Sequence, residues 1–140
     1  MSQQAMSLMA LSIAAATAAV TEYRAVDYNG VQATVQGQKV MGVAKRGAVI
    51  GDGFEVAVIG TAVVETGAAF AAGASLIVDS QGRAIASTGS LRVAAGATPV
   101  TSSAANGNIL LGGDGIEYVY ADALQASVGA GDKVEVLLRR

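Results

Sequence analysis

The chain has 140 residues, which is enough for one domain with its own apolar core but not for two. Its 9 basic and 11 acidic side chains give a formal charge of -2, too small to attract nucleic acid or an anionic membrane, and we expect neither as a partner. Because the sequence has no Cys and no His, disulfides, thiolate metal sites and the commonest general base are excluded.

Residues 1–20 form the first predicted element, an extended N-terminal arm. Residues 5–20 are apolar, but no Lys or Arg precedes them, and about 16 weakly apolar residues fall short of the ~20 that cross a bilayer. We therefore expect neither a secretory signal nor a membrane span. An isolated alanine-rich helix of this length is marginal in water, so we predict an arm that becomes ordered on binding a partner.

The arm supplies the candidate contact residues. Its largest apolar side chains are Met6, Leu8, Met9, Leu11 and Ile13. We predict that they contact the partner. The alternative is that they belong to a strand or helix of the protein's own core. On the first hypothesis, removal of residues 1–20 leaves a folded β-rich domain over residues 21–140 that no longer binds.

Beyond residue 22, apolar residues recur with a period of two, which indicates strands with one buried face. The pattern predicts strands at 31–35, 54–58, 116–120 and 134–138, and a β-hairpin over 76–86 around a turn at 79–82. Gly and Asp predict further turns at 51–53, 112–115 and 129–132, and residues 87–108 are predicted to be a long loop. Because no amphipathic helix separates the strands, we expect an all-β fold, either a small β-barrel or a β-sandwich.

Few residues are suited to catalysis. Asp52, Asp114 and Asp132 lie in the predicted turns, where a carboxylate pair or a Ca²⁺ site is conceivable, but each turn offers one carboxylate and calcium needs several oxygen ligands. Turn stabilisation is the better interpretation. The Gly-x-Gly pairs are not followed by a helix that could hold phosphate, and without His the Ser and Thr hydroxyls have few bases to activate them. We expect no catalytic residue, no cofactor, no metal and no enzyme activity.

Basic and aromatic pairs are the remaining candidates for surface contacts. Residues 45–46 and residues 139–140 are small basic clusters that could meet an acidic partner, although solvated strand ends are the simpler interpretation. The tyrosines could form a stacking platform for a ligand such as a sugar, in two pairs: Tyr23 with Tyr28, and Tyr118 with Tyr120. With only 4% aromatic residues, core or interface packing is the favoured alternative.

A series of short motifs is more specific than any of these features. It reads Gly42-Val43-Ala44, Gly51-Asp52-x-Phe54-Glu55-Val56, Gly60-x-Ala62-x-Val64-Glu65, Ala72-Gly73-Ala74-x-Leu76, Asp79-x-x-Gly82-Arg83-Ala84, Ala123-Leu124 and Ala130-Gly131-Asp132-x-Val134-Glu135-Val136-Leu137-Leu138. In order and spacing, over most of residues 20–138, the series closely resembles the bacteriophage capsid cement, or head decoration, protein family. The chain departs from the family pattern between residues 86 and 120, so no contact there is carried over.

The series also contains an internal repeat. The motif that begins at Gly51 recurs at Gly131 as Gly-Asp-x-apolar-Glu-Val, 80 residues later. This recurrence predicts two similar turn-and-strand units at related places in one barrel.

The resemblance implies a structural decoration (cement) protein of a tailed phage, a virion component made in the host cytoplasm. It implies a homotrimer on the outer surface of the expanded head, with the arm contacting the major capsid protein. Such a protein would bridge major capsid protein subunits and stabilise the shell. The main rival is a trimeric phage surface or tail-fibre-type glycan-binding β module, which would share the turns and the glycine content.

Overall fold

The computed structural model describes residues 5–15, 17–89, 91–92, 101–102, 110–111 and 115–139. Every regular element within these residues is a β-strand, which confirms the predicted all-β class. The strands are β1 (Ser7–Ala14), β2 (Ala25–Val26), β3 (Gly42–Ala44), β4 (Gly53–Glu65), β5 (Ser75–Val78), β6 (Ala84–Ala86), β7 (Leu91–Arg92), β8 (Thr101–Ser102), β9 (Leu110–Leu111), β10 (Gly115–Ile116), β11 (Ala121–Ala123) and β12 (Lys133–Leu138).

Eight strands form one antiparallel sheet that nearly closes into a barrel. Its order is β2-β3-β4-β12-β11-β5-β6, with β1 also paired to β4, while β7 with β10 and β8 with β9 form separate two-stranded pairs. The two ends of the sheet meet where the Ala25 N–H donates to the Gly82 carbonyl at 2.8 Å. A parallel bridge between Thr66 and Ala84 lies at the same closure.

The 13-residue strand β4 organises the barrel because its two parts have different partners. Its first part pairs with β1, from Gly53 opposite Ala14 to Gly60 opposite Ser7, and its second part pairs with β12, from Thr61 to Glu65. Since β3 pairs with β4 on the other side at residues 56–57, β1 and β12 lie end to end along one edge of β4.

Gly60 stands where the two parts of β4 meet, and the backbone there requires a glycine. Its φ is +103°, a conformation that residues with a Cβ rarely adopt. A Cβ at this position would lie 2.4 Å from the Met6 carbonyl oxygen and 2.7 Å from the Leu8 nitrogen. The close approach of β1 to β4 therefore depends on this residue.

The apolar interior consists of two clusters, and β4 contributes residues to both. The smaller cluster contains Phe54, Val56 and Val58, the inward residues of the predicted 54–58 strand. The larger cluster contains Val64 together with Val136 of β12 and residues of β5 and β11. The strands predicted at 54–58 and at 134–138 are thus confirmed, but Ala57 and Glu135, predicted to lie on an exposed face, are buried as well.

The strand pairings and backbone hydrogen bonds divide the chain into two similar halves, residues 7–59 and residues 61–138, and this confirms the internal repeat predicted from the Gly-Asp motifs. Each half has a first strand paired to a final strand that starts after a Gly-Asp turn: β1 with β4, and the second part of β4 with β12. Backbone hydrogen bonds recur in both halves; the matched pairs are Ala15 N to Asp52 O with Thr66 N to Asp132 O, Val20 N to Ala48 O with Phe70 N to Ser127 O, Tyr23 N to Ala44 O with Gly73 N to Ala123 O, and Lys45 N to Glu55 O with Leu124 N to Glu135 O.

Some sequence predictions need correction. Residues 31–35 alternate like a strand, but only Gln32 pairs, in an isolated bridge to Val26. The chain then turns at 35–38, where the Gln38 carboxamide oxygen accepts from the Thr34 and Val35 N–H groups and Gly37 takes a positive φ. In the predicted 116–120 strand only Ile116 is in a strand. The residues after it bond to separate partners, with the Tyr120 N–H donating to the Leu76 carbonyl.

The predicted hairpin over 76–86 is confirmed, since β5 and β6 pair antiparallel around Asp79, whose carboxylate accepts from the Gln81 and Arg83 N–H groups. Most of the predicted loop over 87–108, and the turn predicted at 112–115 apart from residue 115, lie outside the described residues. Among the residues that the structure describes, no helix is long and apolar enough to cross a membrane.

Candidate functional site

Four of the predicted contact residues lie on β1 and Met6 directly precedes it, and four of the five are exposed. Leu8 and Met6 are the most exposed, at 78% and 63%, and Met9 and Leu11 are exposed to a lesser degree. Ile13 is half-buried and packs against the smaller apolar cluster. The segment predicted to be an arm thus has a partner within the chain, because residues 7–14 pair with β4.

Other residues of the predicted arm are buried, which determines how the contact hypothesis can be tested. Ala15 and Val20 are buried in the smaller cluster beside Phe54. Deletion of residues 1–20 therefore removes a strand and two core residues together with the exposed side chains. Substitution of the exposed side chains is the cleaner experiment.

Two further residues, which the sequence reasoning missed, extend this apolar surface. Ile59 lies directly opposite Met9 in the β1–β4 pairing and is exposed. Leu137 is exposed and lies opposite Thr61, whose N–H donates to the Met6 carbonyl. Both occupy outward-facing positions in strands whose side chains alternate between the two faces, and a polar residue is expected at such positions. An apolar residue there is the sequence signal that could have revealed them. We call Met6, Leu8, Met9, Leu11, Ile59 and Leu137 the β1 surface.

The β1 surface is uncharged and has an open backbone edge. No charged residue occurs between residues 5 and 20. Within the described part of the sheet, β1 pairs with β4 alone, so its other edge presents free N–H and C=O groups. An exposed apolar edge strand is a site at which another chain can add a strand or bury side chains.

A cavity of about 370 Å³ lies beneath the start of β1. Its walls include small apolar side chains such as Ala57 and Val43, and Lys45 and Lys133 stand at its margin. The buried hydroxyl of Ser7 borders the cavity and has no hydrogen-bond partner among the described atoms. The start of β1 is therefore less tightly packed than its end, which lies on the apolar cluster.

The charges beside the cavity are mostly paired. The Arg24 guanidinium donates to both oxygens of Glu65, at 3.1 Å each, and Lys133 lies 3.6 Å from the same carboxylate. The bonds from Arg24 hold the pKa of Glu65 below its ordinary value of 4.5, although partial burial opposes this shift. Arg46 is similarly engaged by Glu55 at 2.8 Å, so the basic cluster at 45–46 offers Lys45 rather than Arg46 to a partner.

The tyrosines do not form the two pairs that a stacking platform would need, and Tyr120 packs in the core as the favoured alternative predicts. Tyr120 is buried in the larger cluster, and Tyr23 is half-buried beside the cavity. Instead, exposed Tyr28 and Tyr118 flank one lysine: the ammonium of Lys39 lies 5.7 Å from the first ring centroid and 5.9 Å from the second. These distances are within the range of cation–π attraction. We call these three residues the tyrosine–lysine cluster.

The turn aspartates mostly serve the backbone. Asp132 accepts from the Val128 N–H at 2.8 Å, and Asp79 also pairs with Arg83 at 2.9 Å. Among the residues that the structure describes, no group of three or more His, Cys, Asp or Glu is placed to hold a metal ion. The described residues provide apolar and aromatic contact surfaces.

Comparison with known proteins identifies a family and a related fold. A sequence model of the phage cement proteins matches residues 6–113. The solved structure of the head fiber gp8.5 N base of bacteriophage phi29 superposes with a TM-score of 0.61 at 17% identity, over 94% of this chain and 95% of that one. That likeness concerns the fold. No curated protein matches the chain.

Proposed function

The chain belongs to the phage cement protein family, whose members are structural proteins of the phage head, and we propose that it decorates the outer surface of the expanded head of a tailed phage. In this proposal it binds the major capsid protein, bridges neighbouring subunits of it and stabilises the shell. It acts as a homotrimer and has no catalytic role.

The β1 surface is the observation that carries this proposal. Leu8 is 78% exposed, and together with Met9, Leu11 and the preceding Met6 it places four large apolar side chains along an edge strand that itself carries no charged residue. Exposure of this kind has a cost in solubility and no benefit for the protein's own core. Burial against a capsid subunit would contribute about 25 cal/mol for each Å² of apolar surface removed from water.

Trimer formation would explain how modest contacts hold a shell together. A trimer presents three copies of the β1 surface, and once one copy binds, the others bind at a high effective concentration. Many trimers on one head would then resist separation of neighbouring subunits. Sedimentation of the purified protein tests this part separately, and a monomer at micromolar concentration would contradict it.

A polar double variant tests the β1 surface. Leu8→Ser with Met9→Ser keeps the β1 backbone and removes two exposed side chains. We expect it to retain its melting temperature and to lose at least about tenfold in affinity for expanded heads that lack the protein, since each buried side chain contributes on the order of 1.5 kcal/mol or more. Co-sedimentation with heads measures the affinity.

Val35→Ser is the matched control, because Val35 is an exposed apolar residue in the 35–38 turn, away from β1. It is expected to bind as the unaltered chain does. Equal binding by the β1 double variant would contradict a role for the β1 surface. Failure of the unaltered chain to bind heads would contradict the decoration function itself.

The tyrosine–lysine cluster favours a second candidate function, glycan binding on the phage surface. Two exposed rings can stack on the apolar faces of a sugar, and the Lys39 ammonium between them can donate to its hydroxyl groups. A glycan array with the unaltered chain and with the Tyr28→Ala, Tyr118→Ala double variant tests it. Binding that the double variant loses would support this function, and absence of binding by the unaltered chain would dispose of it.

A further inference from the structure

Two turns of the protein occupy equivalent places in its two halves. We call residues 48–52 the first tip and residues 127–132 the second tip. The first tip bonds to Ala15, beside the beginning of β4, and the second tip bonds to Thr66, just past the end of β4. The 13 residues of β4 separate the tips by a contour of about 40 Å at 3.3 Å per residue.

Both tips expose large aliphatic side chains at the same position. Val49 and Ile50 are each 61% exposed in the first tip, and Val128 is 89% exposed in the second. Val49 and Val128 each follow the residue that bridges back to the preceding segment, Ala48 in one half and Ser127 in the other.

The turn geometry does not call for these side chains. The positive φ angles of the tips are supplied by Gly51, at +85°, and Gly131, at +90°. Turns of this kind usually carry polar residues. Single exposed apolar residues are common on protein surfaces, but here they recur at matched positions of a duplicated fold. Exposed alanine pairs stand beside both tips, at residues 18–19 and 68–69.

We propose that the two tips are equivalent aliphatic contacts that insert into the same apolar depression on two neighbouring subunits of the head shell. This rests on the proposed decoration function and gives its bridging role a structural basis. A shell built from many copies of one subunit presents the same depression repeatedly, so a molecule with two similar tips can hold two subunits at once. The aliphatic side chains of the tips favour an apolar site over a charged one.

Two contacts held by one rigid barrel bind as a bivalent ligand. After the first tip binds, the second binds within the same complex, so loss of either tip removes the gain in avidity that the pair of tips provides. The two losses are of similar size because each leaves one tip. Two unrelated contacts have no reason to respond alike.

Matched tip variants test this inference with the full chain and expanded heads that lack the protein. The variants are Val49→Ser with Ile50→Ser for the first tip, Val128→Ser for the second, and all three together, with Val35→Ser as the control. Each single-tip variant is expected to weaken binding by about 100-fold, and the triple variant to weaken it further. Circular dichroism verifies that every variant keeps the fold.

Similar losses at both tips, with an unchanged control, would support the inference. A loss at one tip alone, or at neither, would overturn it while leaving the decoration function intact, provided that the unaltered chain binds heads. Electron microscopy of decorated heads supplies an independent measurement. Density that places the two tips over two different shell subunits would support the inference, and density with either tip facing away from the shell would overturn it.

Discussion

The two halves of the protein share a backbone plan but differ in how deeply the side chains of their first strands, β1 and the second part of β4, are buried. Leu11 of β1 lies opposite Val56, and the equivalent residue of the second half, Ala62, lies opposite Val136. Leu11 is 41% exposed, whereas Ala62 is 4% exposed. The duplicated fold therefore has one closed half and one half with an open apolar edge, and the open edge is where we place the contact with the shell.

The difference follows from what each half adds to the common plan. In the second half β5 is longer and pairs with β6, and Tyr120 adds a large ring to the cluster. The corresponding residues of the first half, 27–40, form a short loop with turns. A less covered edge has a cost in the free energy of folding, which is reasonable for a surface that a partner later buries.

The largest effect is expected where the halves meet. Gly60→Val is predicted to lower the free energy of unfolding by about 3 kcal/mol, because its Cβ would clash with the Met6 carbonyl and its φ disfavours any side chain. Urea denaturation measures the change. Gly51→Ala is the control: its φ is also positive but no atom lies within 4 Å of the added Cβ, so a loss of about 1 kcal/mol is expected. Equal losses would show that the close approach of β1 is unimportant.

Substitutions at equivalent positions of β1 and of the second part of β4 test directly how differently the two strands are buried. Val64→Ala in the closed half should lower the free energy of unfolding by about 2 kcal/mol, because Val64 is buried in the larger cluster. Ile13→Ala at the equivalent position of β1 should lower it by about 1 kcal/mol, although it removes more atoms, because Ile13 is only partly buried. Thermal denaturation of both variants gives the ranking, and a larger loss at Ile13 would mean that β1 is as well packed as its counterpart.

The Arg24–Glu65 ion pair also distinguishes the halves. Glu65 lies at the end of β4, and the equivalent residue at the end of β1 is the uncharged Ala14. Arg24→Met is predicted to lower the free energy of unfolding at neutral pH by about 1 kcal/mol, through loss of the charge-assisted bonds to Glu65.

The same pair gives a pH dependence. Arg24 lowers the pKa of folded Glu65 below its ordinary 4.5, so the stabilisation is complete above that value and is lost as the pH falls through the lower folded-state pKa. Unfolding curves measured at a series of acidic pH values should show a smaller acid sensitivity in Arg24→Met than in the unaltered chain. Parallel curves would mean that Glu65 contributes nothing to acid stability.

The smallest effect is expected at a pair of core residues. Tyr120 N–H donates to Leu76 as Met41 N–H donates to Val26, so the two residues are equivalent, but only Tyr120 carries a hydroxyl. That hydroxyl is buried without a hydrogen-bond partner among the described atoms, and burial raises its pKa. Tyr120→Phe should leave the protein equally stable or raise the free energy of unfolding by up to about 1 kcal/mol. A clear loss in the melting temperature would reveal a partner for the hydroxyl.

Alternation and turn chemistry were sufficient to predict the strands at 54–58 and 134–138, the hairpin around Asp79 and the duplication. They failed where contacts distant in sequence decide the structure. Residues 31–35 alternate correctly, yet the chain turns at Gln38, and Tyr118 lies beside Lys39 where its N–H donates to the Gly37 carbonyl, a contact distant in sequence. β1 was not predicted as a strand because an exposed edge strand places apolar residues on both faces and so lacks the period of two.

The cavity beneath β1 has a consequence for the order in which that strand detaches. The end of β1 is anchored by Ile13 on the apolar cluster and by the Ala15 bond to Asp52, whereas its start borders the cavity and is held by hydrogen bonds between Met6 and Thr61 without core packing. Amide hydrogens should therefore exchange with solvent fastest near Ser7 and progressively more slowly toward Ala14. A strand that frays from one end gives a neighbouring chain a defined point of entry, next to Leu8, without unfolding the barrel behind it.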